Sequence, residues 1–108
     1  MTRSLLLIPM IILAGCASSP APHAADESLL VTRFPGLPDD AQGVAERLAS
    51  CVHFGGEING DGSAHDREVA SAMTRLRCDT VDQDVAAIRR SYGDNRAVQD
   101  ALEAASQF

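Results

Sequence analysis

Apolar residues recur along most of this chain at the three- and four-residue spacing of a helix, and four segments carry the pattern. Pro38-Asp39-Asp40 marks a helix start, after which Ala41, Val44, Ala45, Leu48 and Val52 share one face up to a stop at Gly55-Gly56. Cys51 lies near that face. A second helix follows Ser63 and Asp66, which are expected to satisfy its free N–H groups; Val69, Ala72, Met73 and Leu76 then lie at i, i+3, i+4 and i+7 before Cys78. Thr80 and Gln83 have the spacing of a capping box, and Val81, Val85, Ile88 and Tyr92 continue on one face to Gly93. Asp79, Asp82 and Asp84 crowd this third helix's first turn, where the macrodipole favours negative charge. A fourth helix starts near Asn95 and buries Val98, Ala101, Leu102 and Ala105. The pattern predicts an all-α domain, a small three- to four-helix bundle with alanine-rich, closely approaching faces.

Before these segments the pattern changes. Residues 29–37 are either a short extended segment that packs Phe34 and Leu37 across the bundle or the end of a tether, and with no strand partner in sight a sheet is not expected. Residues 18–28 have small side chains, two prolines and no hydrophobic periodicity, the composition of a solvated linker in which His23 is inert. At the start, behind Arg3, a nine-residue apolar run covers residues 5–13. It includes Pro9 and is under half the roughly 20 residues a spanning helix needs, so it is not a transmembrane anchor.

That run is closed by Leu13-Ala14-Gly15-Cys16. Small residues ahead of a cysteine in this position resemble the lipobox of bacterial lipoproteins; an ordinary signal peptide cut elsewhere is the alternative, since Ala14 and Ala17 are both small. The resemblance implies that residues 1–15 are a cleaved signal peptide and that Cys16 carries a diacylglyceryl thioether and an N-acyl chain, enough for stable anchoring. It also implies that residues 16–37 are a lipidated tether and residues 38–108 a periplasmic domain. Ala17 is not the aspartate that signals inner-membrane retention in many enterobacterial lipoproteins, which favours the outer membrane, facing the periplasm. With Cys16 assigned to lipid by this resemblance, Cys51 and Cys78 remain in a compartment where disulfides persist and are expected to pair. Closing about 28 residues would stabilise the fold by roughly 3 to 4 kcal/mol. The role is structural, because no C-x-x-C arrangement is present.

Charge narrows the function classes. Removing residues 1–15 leaves 93 of the 108 residues and takes the net charge from −6 to −7. The remaining domain holds one small core, too little for a deep cleft between two lobes. Every basic residue other than histidine is arginine, which excludes Schiff-base lysine chemistry and the phosphate-loop lysine. An acidic balance without a basic stripe argues against nucleic acid. It suits a cationic partner, or simply solubilises an exported protein.

The densest polar chemistry lies between the first two helices. One reading is calcium: Glu57, Asn59, Asp61, Gly62 and Glu68 fall at positions 1, 3, 5, 6 and 12 of an EF-hand-like loop, with Ser63 and His65 at 7 and 9. Against it, position 1 is normally the shorter aspartate, Ala64 stands where a bulky apolar residue is usual, and Gly55-Gly56 should end the incoming helix too early. A second reading is a transition-metal or catalytic site from His53, Glu57, His65 and Glu68, although H-E-x-x-H is absent. A triad of Ser50, His53 and an aspartate has only sequence proximity in its favour. The third, preferred reading is a cross-braced turn. Asn59-Gly60 and Asp61-Gly62 tolerate positive φ, Ser63 and Asp66 cap the next helix, His53 caps or packs at the end of the first, and Arg67 pairs with Glu57 or Asp61.

Cys51, His53, Phe54, Gly56 and Glu57, followed by Asp66-Arg67 and Cys78, make the chain similar from residue 51 to about 92 to a group of small proteobacterial exported proteins. They carry a C-x-H-[FW]-x-G-E element, an Asp-Arg and a second cysteine at the end of the next helix. The stretch 59–65 is longer here than in many of them, and the resemblance implies an exported helical domain with one disulfide and no particular activity. The expectation is therefore a non-enzymatic lipoprotein, without catalytic residues or cofactor, that binds a protein partner in the envelope or contributes to its structure. Alternatives are an inhibitor or immunity protein against a cell-wall hydrolase, and a metal-binding protein using residues 57–68.

Overall fold

A computed structural model describes Gly15 and residues 34–108; Cys16, the rest of the expected signal peptide and most of the expected tether lie outside the described residues. Four helices follow in order: α1 (Asp39–Glu57), α2 (Ala64–Arg75), α3 (Val81–Ser91) and α4 (Arg96–Ala105), with no strand among the described residues. The all-α bundle with one disulfide is thus the observed architecture. α1 is its axis: α2, α3 and α4 all pack on it, and α3 and α4 meet each other only slightly.

Local chemistry explains where these helices begin. Asp39 and Asp40 stand in the first turn of α1, where negative charge meets the positive end of the dipole. Ser63 caps α2, its hydroxyl accepting from the Asp66 N–H at 3.2 Å, and the Asn95 side chain does the same for α4 from the Val98 N–H. Thr80 does not cap α3. Its backbone (φ −113°, ψ 0°) is not the extended conformation of an N-cap, and its hydroxyl donates to the Arg77 carbonyl instead, so the expected capping box with Gln83 is absent.

One further expectation is corrected. α1 does not stop at Gly55-Gly56 but runs through both glycines to Glu57, with Ile58 extended beyond it. Glycine in a helix interior costs about 1 kcal/mol relative to alanine, too little to end a helix anchored on both sides of the pair. Before it, Phe54 packs on the core; across it, His53 reaches Glu57 one turn later at 3.2 Å. At the other boundary, Phe34 packs on the core and Leu37 on its α3–α4 side, as in the first of the two readings of residues 29–37.

The core falls into two clusters along α1. Near its start, Ala41 and Ala45 meet Ile88 of α3 and Val98 and Leu102 of α4, with Val44, Tyr92 and Ala101 at the margin. Near its end, Leu48, Ala49 and Cys51 meet Leu76, Val81 and Ala105, with Val52, Phe54 and Cys78 around them. The alanines of α1 are fully buried, which is what lets α3 and α4 approach the axis closely. Cys51 is bonded to Cys78 with a Cα–Cα separation of 5.5 Å, tying the second half of α1 to the connection between α2 and α3.

That connection is a Schellman turn. The Cys78 N–H donates to the Met73 carbonyl and the Arg77 N–H to the Thr74 carbonyl, both 3.0 Å, and Arg77 takes the left-handed position (φ 57°) at which glycine is usual.

Candidate functional site

The polar segment between α1 and α2 is organised around Asp66, which plays a different part from the expected cap. One carboxylate oxygen accepts the Asn59 N–H at 2.9 Å; the other accepts the Gly60 N–H at 2.8 Å and the Asp61 N–H at 3.1 Å. Gly60 (φ 78°) and Gly62 (φ 66°) supply the left-handed residues this tight course requires. The hydrogen bond from the Asn59 N–H is the main reason the Asp66 carboxyl is held below the usual aspartate range, an effect that burial partly offsets. Asp61 is lowered as well, first by its hydrogen bond with the Ser63 side chain and then by the Ser63 N–H, which donates to Oδ1 at 3.0 Å.

Around this centre the remaining candidates brace the turn. The His53 Nε2 lies 3.2 Å from Glu57 Oε1, and its ring meets Phe54 edge-on with centroids 5.5 Å apart. The His65 Nε2 lies 3.3 Å from the Glu57 carbonyl at the end of α1. Arg67 donates to the Gly62 carbonyl at 2.8 Å; among the described residues no ion pair joins it to Glu57 or Asp61. The expected bracing is present, but its arginine holds a backbone oxygen rather than a carboxylate.

The same geometry bears on the calcium reading of Glu57, Asn59, Asp61, His65 and Glu68. A calcium loop turns oxygens inward, whereas this one turns three N–H groups onto a carboxylate. No group of three or more His, Cys, Asp or Glu side chains among the described residues is placed to hold a metal ion. His53, Glu57, His65 and Glu68 therefore do not converge as a ligand set. The proposed triad does not form either: Ser50 is fully buried with its hydroxyl on the Glu46 carbonyl at 2.8 Å, while His53 is exposed.

Two polar contacts have no signature in the residue spacing. Arg47 of α1 pairs with Asp84 of α3, 37 residues away, and the Tyr92 hydroxyl donates to Asp40 at 2.7 Å across 52 residues. The bond to the carboxylate raises the Tyr92 phenol above its ordinary value. Only the packing of α3 on α1 brings either pair together.

Compared with protein-family models, curated protein sequences and solved structures, the chain matches none.

Proposed function

We propose that this chain is a lipid-anchored lipoprotein of the bacterial cell envelope, seated by Cys16 on the outer membrane and facing the periplasm, whose helical domain has a non-enzymatic binding or structural role. The observation that carries the reading is the Cys51–Cys78 bridge, because a disulfide in a domain this small belongs to an oxidising compartment. The lipobox resemblance at residues 13–16 supports the same address. The non-enzymatic part draws on the polar segment between α1 and α2, whose Asp66, Ser63 and Arg67 are engaged in bonds within the turn.

Mass spectrometry of the chain recovered from bacterial membranes tests the anchor. The expected product begins at Cys16 and carries added diacylglyceryl mass, and Cys16→Ser releases the chain into the soluble fraction. Recovery of a chain still bearing residues 1–15, or of a soluble unmodified wild type, sinks the reading.

The acidic balance favours a second, narrower reading, in which the domain is an inhibitor or immunity protein that restrains a basic cell-wall hydrolase. Capture from envelope extract at physiological and at high salt should then show a salt-sensitive cationic protein.

A further inference from the structure

We infer that the cleft between α1 and the α2–α3 connection is a binding site for a small oxyanion, the carboxylate or phosphate group of a ligand, held by Arg47 and Arg77. The two arginines, with Thr80, Gln83 and Asp84, line a cavity of about 370 Å³. The lining holds two arginines and one carboxylate in a chain of net charge −6.

The state of Arg47 points to a ligand. Its side chain is only 11% exposed, so its charge stands largely out of water, where an anion is held more strongly than at an open surface. Nη2 donates to Asp84, while Nε is buried without a partner. The Nε and Nη2 edge of a guanidinium matches a carboxylate or phosphate with two parallel bonds, and here only half of it is used. Asp84 is a removable occupant: its side chain is 48% exposed, and it presents to this edge the kind of group a ligand would bring.

Arg77 supplies the second observation. It occupies the left-handed position of a helix stop, which glycine fills without strain and arginine does not. Backbone economy therefore does not recommend arginine there, and Arg77 lines the cavity beside Arg47. The inference goes beyond the envelope reading and stands whether or not Cys16 carries lipid.

The full chain at constant ionic strength is titrated with inorganic phosphate and separately with acetate, following the arginine side-chain N–H signals and the backbone amides of residues 77–84 by NMR. Saturable shifts centred on Arg47, Arg77 and Thr80 are expected with at least one anion, and the two arms identify which oxyanion is preferred. Asp84→Asn removes the internal competitor and should tighten binding about threefold or more. Arg77→Gly keeps the left-handed turn and should weaken binding about tenfold with the helical fold retained by circular dichroism. Unsaturable shifts with both anions, shifts equally large at Arg89, Arg90 and Arg96, or undiminished affinity in Arg77→Gly would overturn the assignment.

Discussion

The two ends of α1 are held to the rest of the domain by different means. At its start, Ala41 and Ala45 lie between Ile88 on α3 and Val98 and Leu102 on α4, and the polar tie is the hydrogen bond from Tyr92 to Asp40. At its end, the apolar cluster is supplemented by a covalent bridge to Cys78 and by the turn wrapped around Asp66. The difference follows from the partners. α3 and α4 contribute to both ends, through Val81 and Ala105 at the second, but the second must also hold α2, which offers only Val69, Ala72 and, at its cap, Leu76 as buried apolar side chains. A helix with so little apolar surface gains little from burial to offset its ordering, and the staple stands beside the helix that burial holds least.

Cutting the staple should have the largest effect. Cys51→Ser is expected to destabilise the domain by about 3 to 4 kcal/mol, seen as a fall in melting temperature with one free thiol appearing at Cys78. Amide exchange should then accelerate in α2 before α4; uniform acceleration would erase the contrast between the two ends. Leu102→Ala tests the end held by burial. Leu102 is fully buried, and its truncation should cost about 3 kcal/mol in denaturant unfolding while leaving the disulfide intact.

pH should separate the same two ends in opposite directions. Asp66 is depressed in the fold, so its contribution is complete above the ordinary aspartate value of about 3.9 and is lost as pH falls through the folded value. Tyr92 is raised, so its contribution is complete below about 10 and is lost as pH rises through its folded value. Melting curves against pH should lose the acid limb's Asp66 share in Asp66→Asn and the alkaline limb's Tyr92 share in Tyr92→Phe. Unchanged limbs in both variants would mean these bonds do not distinguish the folded state.

The smallest expected effect is a gain. A methyl group at Gly56 would meet nothing within 4 Å, so Gly56→Ala should stabilise α1 by up to about 1 kcal/mol in thermal melts. A loss would show that the last turn of α1 needs its glycine for some other reason.

The four helices were legible because their apolar faces repeat at helical spacing, and Ser63 and Asn95 were legible as caps because a short polar side chain beside a helix start has few other uses. The end of α1 was not. Glycine pairs weaken a helix without deciding its fate, and that decision rested on Phe54 and on the His53–Glu57 pair, which only the folded chain supplies. Asp66 was legible as an acceptor but not as an acceptor for residues 59–61, since one carboxylate within the first turn can reach forward to its own helix or back to the loop. Arg47 was invisible, because its partner is 37 residues away and no local rule couples the two. The candidate metal ligands share only a spacing, and spacing says nothing about which atoms face the middle of a turn.

The arrangement of α1 also has a mechanical side. A pull on the chain ahead of Phe34 would reach the domain where α1 begins, at the end without a covalent tie. Tension would peel α1 from α3 and α4 in order, past Asp40, Ala41 and Ala45, and unzipping would halt at Cys51, where the crosslink passes the force to Cys78. Beyond that point the braced turn and α2 lie inside the covalent loop and are shielded from the pull. Under such a pull the domain would give way first at the start of α1 and last at its end, about 28 Å away.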